Sequence, residues 1–179
     1  MGLVHIYCGD GKGKTSAACG LAVRMAGRGN AVVIARFLKT DDSGEVEVLK
    51  HLPQVHLIPC EKEFGFVFAM DEETKIQAAE FNTGLFCKAV EAAKEKSAQS
   101  KDTPCLLVLD EIMAAVNLKM VQEEQVLAFL KERPANLEVV LTGRDPSESM
   151  QAMADYISEI KKIRHPFENG ISARIGIEY

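Results

Sequence analysis

Lysine 14 and threonine 15 stand directly after a glycine, in the run CGDGKGKTS at positions 8 to 16, which also has glycines at 9 and 11. Glycine lets a backbone turn tightly and bring successive N–H groups to one side. Such a string of N–H groups forms a concavity that binds anions. A helix opening near Lys14 would add the positive end of its dipole at the same point. The stretch from Gly9 through Asp10, Gly11, Lys12 and Gly13 to Ser16 therefore reads as a phosphate cradle. The general pattern for such a loop is GxxxxGK[ST]. Gly13-Lys14-Thr15 fits its second half, while Cys8 stands at the first glycine position. Lys14 would neutralise phosphate oxygens, the Thr15 hydroxyl would bind Mg²⁺, and Lys12 adds a further positive charge.

A second group of residues suits the same ligand. The run CLLVLDE, positions 105 to 111, ends an apolar segment in two acids, Asp110 and Glu111. Mg²⁺ is held by few carboxylates together with phosphate oxygens and water. Acids at a strand end facing the glycine loop would complete a site for Mg²⁺ and a nucleotide. These elements alone leave open which bond is broken. Thr142-Gly143-Arg144 falls at another strand end, where the arginine could meet phosphate or a surface carboxylate. Gly65-Phe66-Val67-Phe68 carries two aromatics that in sequence read first as core. His165 precedes a turn signalled by Asn169-Gly170.

The elements that must position these residues follow from the hydrophobic pattern. Short apolar runs recur at 3–7, 31–37, 55–58, 105–109, 137–141 and 156–163. Several are nearly continuous rather than alternating, as in strands covered on both faces. Helical spacing fills the gaps: Lys14 to Arg28, a long helix capped by Asp71, Gln122 to Glu132, and Ser147 to Asp155. The long helix would bury Ile76, Ala79, Thr83, Phe86 and Val90, and the polar stretch Ser97 to Thr103 would be an exposed loop. Alternating strands and helices predict an α/β fold of the P-loop NTPase-like (RecA-like) kind, a mostly parallel sheet with helices on both faces. Ligands of such sheets lie beyond the carboxyl ends of the strands, where both groups of residues fall. No linker or repeat divides the chain, so residues 1–179 are expected to form one domain.

Composition excludes several classes. With 21 basic and 26 acidic residues the formal charge is −5, which argues against a nucleic-acid partner lacking any basic stripe to grip. No apolar run is long enough to span a membrane and no signal peptide is present, so neither a membrane nor export is expected. The cysteines at 8, 19, 60, 87 and 105 form no CxxC pair and are odd in number, which fits buried thiols in a reduced, cytoplasmic protein.

Taken in order, GDGKGKTSAACGLAVRMAGRG, RFLKT, GFVF, VLDE, LTGR and ADYISEIKKIRHPFENGISARIGIEY resemble the P-loop type of ATP:corrinoid adenosyltransferase, over nearly the whole chain. The family's loop also lacks the first glycine, so Cys8 is expected there. Ser16 stands where a second threonine is common, Arg36 where glutamine is common, and Phe68 where some members have tryptophan. Some members carry an N-terminal arm that helps close the site, whereas this sequence begins at the first strand. The resemblance implies that the Co(I) of a reduced corrinoid, cobalamin or its precursor, attacks the 5′ carbon of ATP and triphosphate leaves. It implies a nucleotide reversed in the loop, Mg²⁺ (or Mn²⁺) held by Thr15, Asp110 and Glu111, and Arg24 helping to hold the nucleotide. Phe66 and Phe68 would exclude the lower axial ligand from cobalt. It also implies an electron donor of flavoprotein type and a homodimer. Two other readings stay open: a P-loop ATPase or kinase that cleaves the terminal phosphate, and a nucleotide- or corrinoid-binding protein without turnover.

Overall fold

The computed structural model describes residues 1–178 other than Glu63, Phe66, Lys101 and Asp102. Six strands form one sheet: β1 (Val4–Cys8), β2 (Val32–Arg36), β3 (Val55–Leu57), β4 (Cys105–Asp110), β5 (Leu137–Thr142) and β6 (Tyr156–Glu159). Their order is β3-β2-β4-β5-β1-β6, and every pairing is parallel, which sharpens the mostly parallel expectation. All carboxyl ends therefore emerge on one edge. β5 lies between β4 and β1, so its last residue, Thr142, sits between the glycine loop and the acids.

The helices are α1 (Lys14–Ala26), α2 (Gly44–Leu49), α3 (Glu72–Gln99), α4 (Ile112–Asn117), α5 (Glu123–Glu132) and α6 (Glu148–Ala152). Helices cover both faces. On one, Ala18, Ala22 and Ala26 of α1 pack on Val32, Ile34, Leu106, Val108 and Val140. Helix spacing depends on the side chains at the contact, and a stripe of methyl groups lets α1 lie close to the sheet. Its first turn is thereby held down at the strand ends. On the other face α3, α4 and α5 cover alternate residues of the same strands, such as Leu107, Leu109, Val139 and Leu141. These are fully buried, each contributing on the order of 2 kcal/mol by removal from water.

Capping follows the sequence. The Asp71 carboxylate accepts the Thr74 N–H at 2.8 Å, and Ser147 caps α6 through the Met150 N–H. Three expectations need correction. The buried face of α3 is made by Ala78, Asn82, Leu85, Phe86, Ala89 and Ala93, whereas Ile76 is exposed. Ser97 is not in a loop: it is buried in the last turn of α3 and its hydroxyl donates to Asn136. The short helices α2 and α4 were not foreseen, because fewer than two turns leave no readable period.

Candidate active site

The glycine loop leaves β1 at Cys8 and enters α1 at Lys14. Gly9 has φ 107°, and a Cβ there would collide with the Ile160 carbonyl just past β6. Gly13 has φ 123° with open space around it, so conformation alone requires glycine there. No side chain caps α1 and no acid stands in its first turn. Its leading N–H groups are left for an anion. One expected donor is used elsewhere: the Gly11 N–H donates to the Ile160 carbonyl at 2.8 Å. Asp10 lines the cleft opened by the loop, and its carboxylate accepts the Lys162 N–H at 2.9 Å. That bond holds its pKa below the ordinary value. These two contacts tie the loop to the segment after β6. Lys14 is buried, and its ammonium rests on the Gly11 carbonyl at 3.0 Å.

Asp110 is the centre of a second network. It is 1% exposed, and its Oδ1 accepts the Thr142 hydroxyl at 2.6 Å and the Thr15 hydroxyl at 3.0 Å. The Lys39 ammonium donates to Asp110 Oδ2 at 2.6 Å and to Thr15 Oγ1 at 2.9 Å. Thr142 Oγ1 in turn accepts the Glu111 N–H at 2.8 Å. Glu111 has a left-handed backbone, φ 60°, uncommon without glycine. The strand therefore ends abruptly and the next residue starts α4.

A cleft of about 570 Å³ opens above this network. Lys14, Thr15, Ser16 and Glu111 line its floor, and Lys39, Arg144 and His165 also face it. Residues 176–178 form one wall. Glu178 binds Lys12 at 2.9 Å and is gripped by the Arg174 guanidinium. The Arg174 and Lys12 bonds pull its carboxyl down to about 2. Cys19, which also faces the cleft, is held up at about 11 by burial and by the Asp110 carboxylate. Its thiol is protonated and unreactive at neutral pH. A second cleft of about 390 Å³ adjoins the first and shares Lys39, Glu45 and Glu178 with it. Phe64, Met70 and Phe81 make its apolar wall. The nearly buried Arg36 faces it too, paired with Asp41 and donating to Ser43 Oγ at 2.8 Å, which pins the loop after β2.

Comparison with known proteins decides among the readings of this site. The family model described as ATP:corrinoid adenosyltransferase BtuR/CobO/CobP matches residues 1–179. The chain belongs to the ATP:corrinoid adenosyltransferase family. It is 33% identical over 179 residues to the corrinoid adenosyltransferase of Escherichia coli K12, covering 99% of this chain and 86% of that one. It is 32% identical over 181 residues to the Salmonella typhimurium protein named corrinoid adenosyltransferase CobA, with the same coverage. Among solved structures, ATPases 2 and 3 of EssC from Geobacillus thermodenitrificans share the fold, with a TM-score of 0.54 at 14% identity. That match covers 98% of this chain and 35% of the other.

An adenosyltransferase must bring two substrates together, ATP and a corrinoid, and this one has two adjoining clefts. Not every residue singled out in the sequence faces them. Arg24 lies on the exposed side of α1, about 15 Å along the axis from Lys14, and does not line the phosphate cleft. Phe66 lies outside the described residues. Phe68 is 87% exposed on a 3₁₀ turn (Val67–Ala69), between Gly65 and Met70 of the second cleft. Core packing is thereby ruled out for Phe68. Sequence reasoning assigned no role to Lys39, Thr142 or Glu178. RFLKT and LTGR pointed to the first two only as family stretches.

Proposed function

We propose that this adenosyltransferase binds ATP with its phosphates on the glycine loop and its 5′ carbon turned toward a corrinoid at the second cleft. The observation that carries this reading is the uncapped start of α1 beside a hydroxyl–carboxylate pair, Thr15 and Asp110, that already holds a cation. Oxygen donors of this kind, with Glu111 on the same floor, fit Mg²⁺. Thr15, Asp110 and Glu111 are assigned to hold it, with Mn²⁺ as the alternative ion. A bound Mg²⁺ would neutralise phosphate charge as triphosphate departs.

The Co(I) electron pair forms the bond to C5′, and the C5′–O bond breaks with its electrons going to triphosphate. No protein base is needed, because the nucleophile carries no proton to remove. The chain's contribution is orientation and charge neutralisation. Lys14 and the leading N–H groups of α1 neutralise the phosphates, and Lys12 joins them when released from Glu178. Phe68, with Phe66, is assigned to press on the lower corrin face and exclude an axial ligand. We further infer that the enzyme is a cytoplasmic homodimer supplied with electrons by a flavoprotein-type donor. Among the described residues no helix is long and apolar enough to cross a membrane.

The test is one mixture of protein, Mg-ATP and chemically reduced corrinoid. A light-sensitive cobalt–carbon product with equimolar triphosphate is expected. Release of inorganic phosphate without the corrinoid product would instead identify a terminal-phosphate ATPase.

A further inference from the structure

The Lys39 ammonium sits where the proposed metal ion would bind. It touches both oxygens that would ligate or orient the ion, Thr15 Oγ1 and Asp110 Oδ2. The hydrogen-bond directions are fixed around it. The Thr15 hydroxyl has one proton, which goes to the Asp110 carboxylate, so the Thr15 oxygen accepts from Lys39 through a lone pair. A divalent ion at about 2.1 Å would need that lone pair and that carboxylate charge. Ammonium and metal therefore exclude one another.

Burial makes some cation obligatory. Asp110 is 1% exposed, and a buried carboxylate left without a counter-charge is strongly destabilising. Two neutral hydroxyls, from Thr15 and Thr142, do not replace a positive charge. Lys39 is brought in by the bend after β2, where Leu38 adopts a left-handed φ of 55°. Strain of this kind collects at functional positions. The Lys39 side chain also faces both clefts and has a flexible four-carbon stem. It can leave Asp110 and still face the space assigned to the phosphates.

We propose that Lys39 is a placeholder cation, holding Thr15 and Asp110 in place until the divalent ion displaces it toward the nucleotide. The inference rests on the reading that Thr15 and Asp110 serve the metal. Its consequence is an order of binding. A metal ion arriving alone must drive the ammonium away from its counter-charge with no anion to receive it. A metal ion arriving with ATP brings both the replacement cation and the anion. Metal and nucleotide binding are thus coupled through one side chain.

The probe is Mn²⁺, followed by the loss of the free-ion paramagnetic resonance signal, with ATP present or absent and no corrinoid. Without ATP, Lys39→Met should bind Mn²⁺ roughly tenfold more tightly than the native protein, within the usual range for coupled sites. With Mn²⁺ present the same variant should bind ATP more weakly, since the displaced ammonium no longer meets phosphate. Lys39→Arg keeps the charge and should retain the weak native Mn²⁺ affinity. If circular dichroism shows Lys39→Met unfolded without metal, Mn²⁺ should restore its fold, and a variant that stays unfolded with Mn²⁺ present would count against the proposal. Equal Mn²⁺ affinity of native protein and Lys39→Met without ATP, when native protein with ATP takes up Mn²⁺ beyond what ATP alone holds, would overturn the placeholder role and leave the metal site standing. No protein-dependent Mn²⁺ uptake even with ATP would overturn the metal assignment and the placeholder together.

Discussion

At the scale of residues, the site is a matter of which charges are fixed before any ligand arrives. Lys14 is buried and its ammonium rests on a neutral acceptor, the Gly11 carbonyl, so its charge is available to phosphate. Lys14→Ala should abolish turnover and weaken ATP binding, because hydrogen bonds between ionised groups are the strong ones. Calorimetric titration with Mg-ATP checks the binding, and a native rate with unsaturated ATP would remove Lys14 from the mechanism. Phe68 presents the opposite case. Truncating a buried phenylalanine costs about 3–5 kcal/mol, but this ring is 87% exposed. Phe68→Ala should therefore leave the melting temperature nearly unchanged. If the ring acts on the corrin face, the reaction started from Co(II) with a weak reductant should slow markedly. The reaction started from preformed Co(I), which has already shed its axial ligand, should slow less. Equal loss in both reactions would sink the axial-ligand role.

At the scale of elements, the segment after β6 fastens the glycine loop. Ile160 and Lys162 hold Gly11 and Asp10, and Glu178 holds Lys12. The Glu178 carboxyl lies at about 2, against an ordinary 4.5. A carboxyl depressed in the folded state contributes its fastening fully above the ordinary value and loses it as pH falls through the folded one. The contact should thus persist through pH 4 and release toward pH 2. A carbon-detected NMR titration of the Glu178 carboxyl reads this directly, and a midpoint near 4.5 would mean that the wall does not form in solution. Glu178→Gln should also free Lys12 and tighten ATP binding a few-fold, less so at high salt because the pair is exposed. Elements were legible where the determinants are local. Asp71 and Ser147 mark helix starts by their own chemistry, and the cradle at 9–16 is one continuous stretch. The face of α3 was read in part: Phe86 is in the core with Ala79 and Val90 packed against it, but Ile76 is exposed and Ala78, Asn82 and Ala93 were missed, because small or polar residues carry little hydrophobic signal. The role of Lys39 could not be read from its stretch RFLKT. Its place follows from the pairing of β2 with β4, which sets Arg36 beside Asp110, and no local pattern reveals that pairing.

At the scale of the whole molecule, the distribution of apolar surface bears on assembly. Past β6 the chain exposes Ile163, Phe167, Ile171, Ile175 and Ile177, and β6 itself leaves Tyr156 and Ile157 half exposed. β6 is also an edge strand of the sheet. Scattered apolar residues are ordinary on a surface, whereas a segment rich in them marks an interaction face. The same segment carries the wall of the phosphate cleft, so a partner seated on it would steady Glu178 and the loop it grips. The proposed homodimer is therefore expected to use this face. Multi-angle light scattering at micromolar concentration should give about twice the chain mass of 19.6 kDa, the two-fold pairing commonest among soluble oligomers. Phe167→Asp, placing a charge on the face, should shift the mass to the monomer while leaving the melting transition of the sheet in place, because Phe167 is exposed in the single chain. A monomeric mass for the native protein would remove the dimer. A dimeric mass that Phe167→Asp and Ile175→Asp both leave unchanged would move the interface elsewhere and uncouple it from the phosphate cleft.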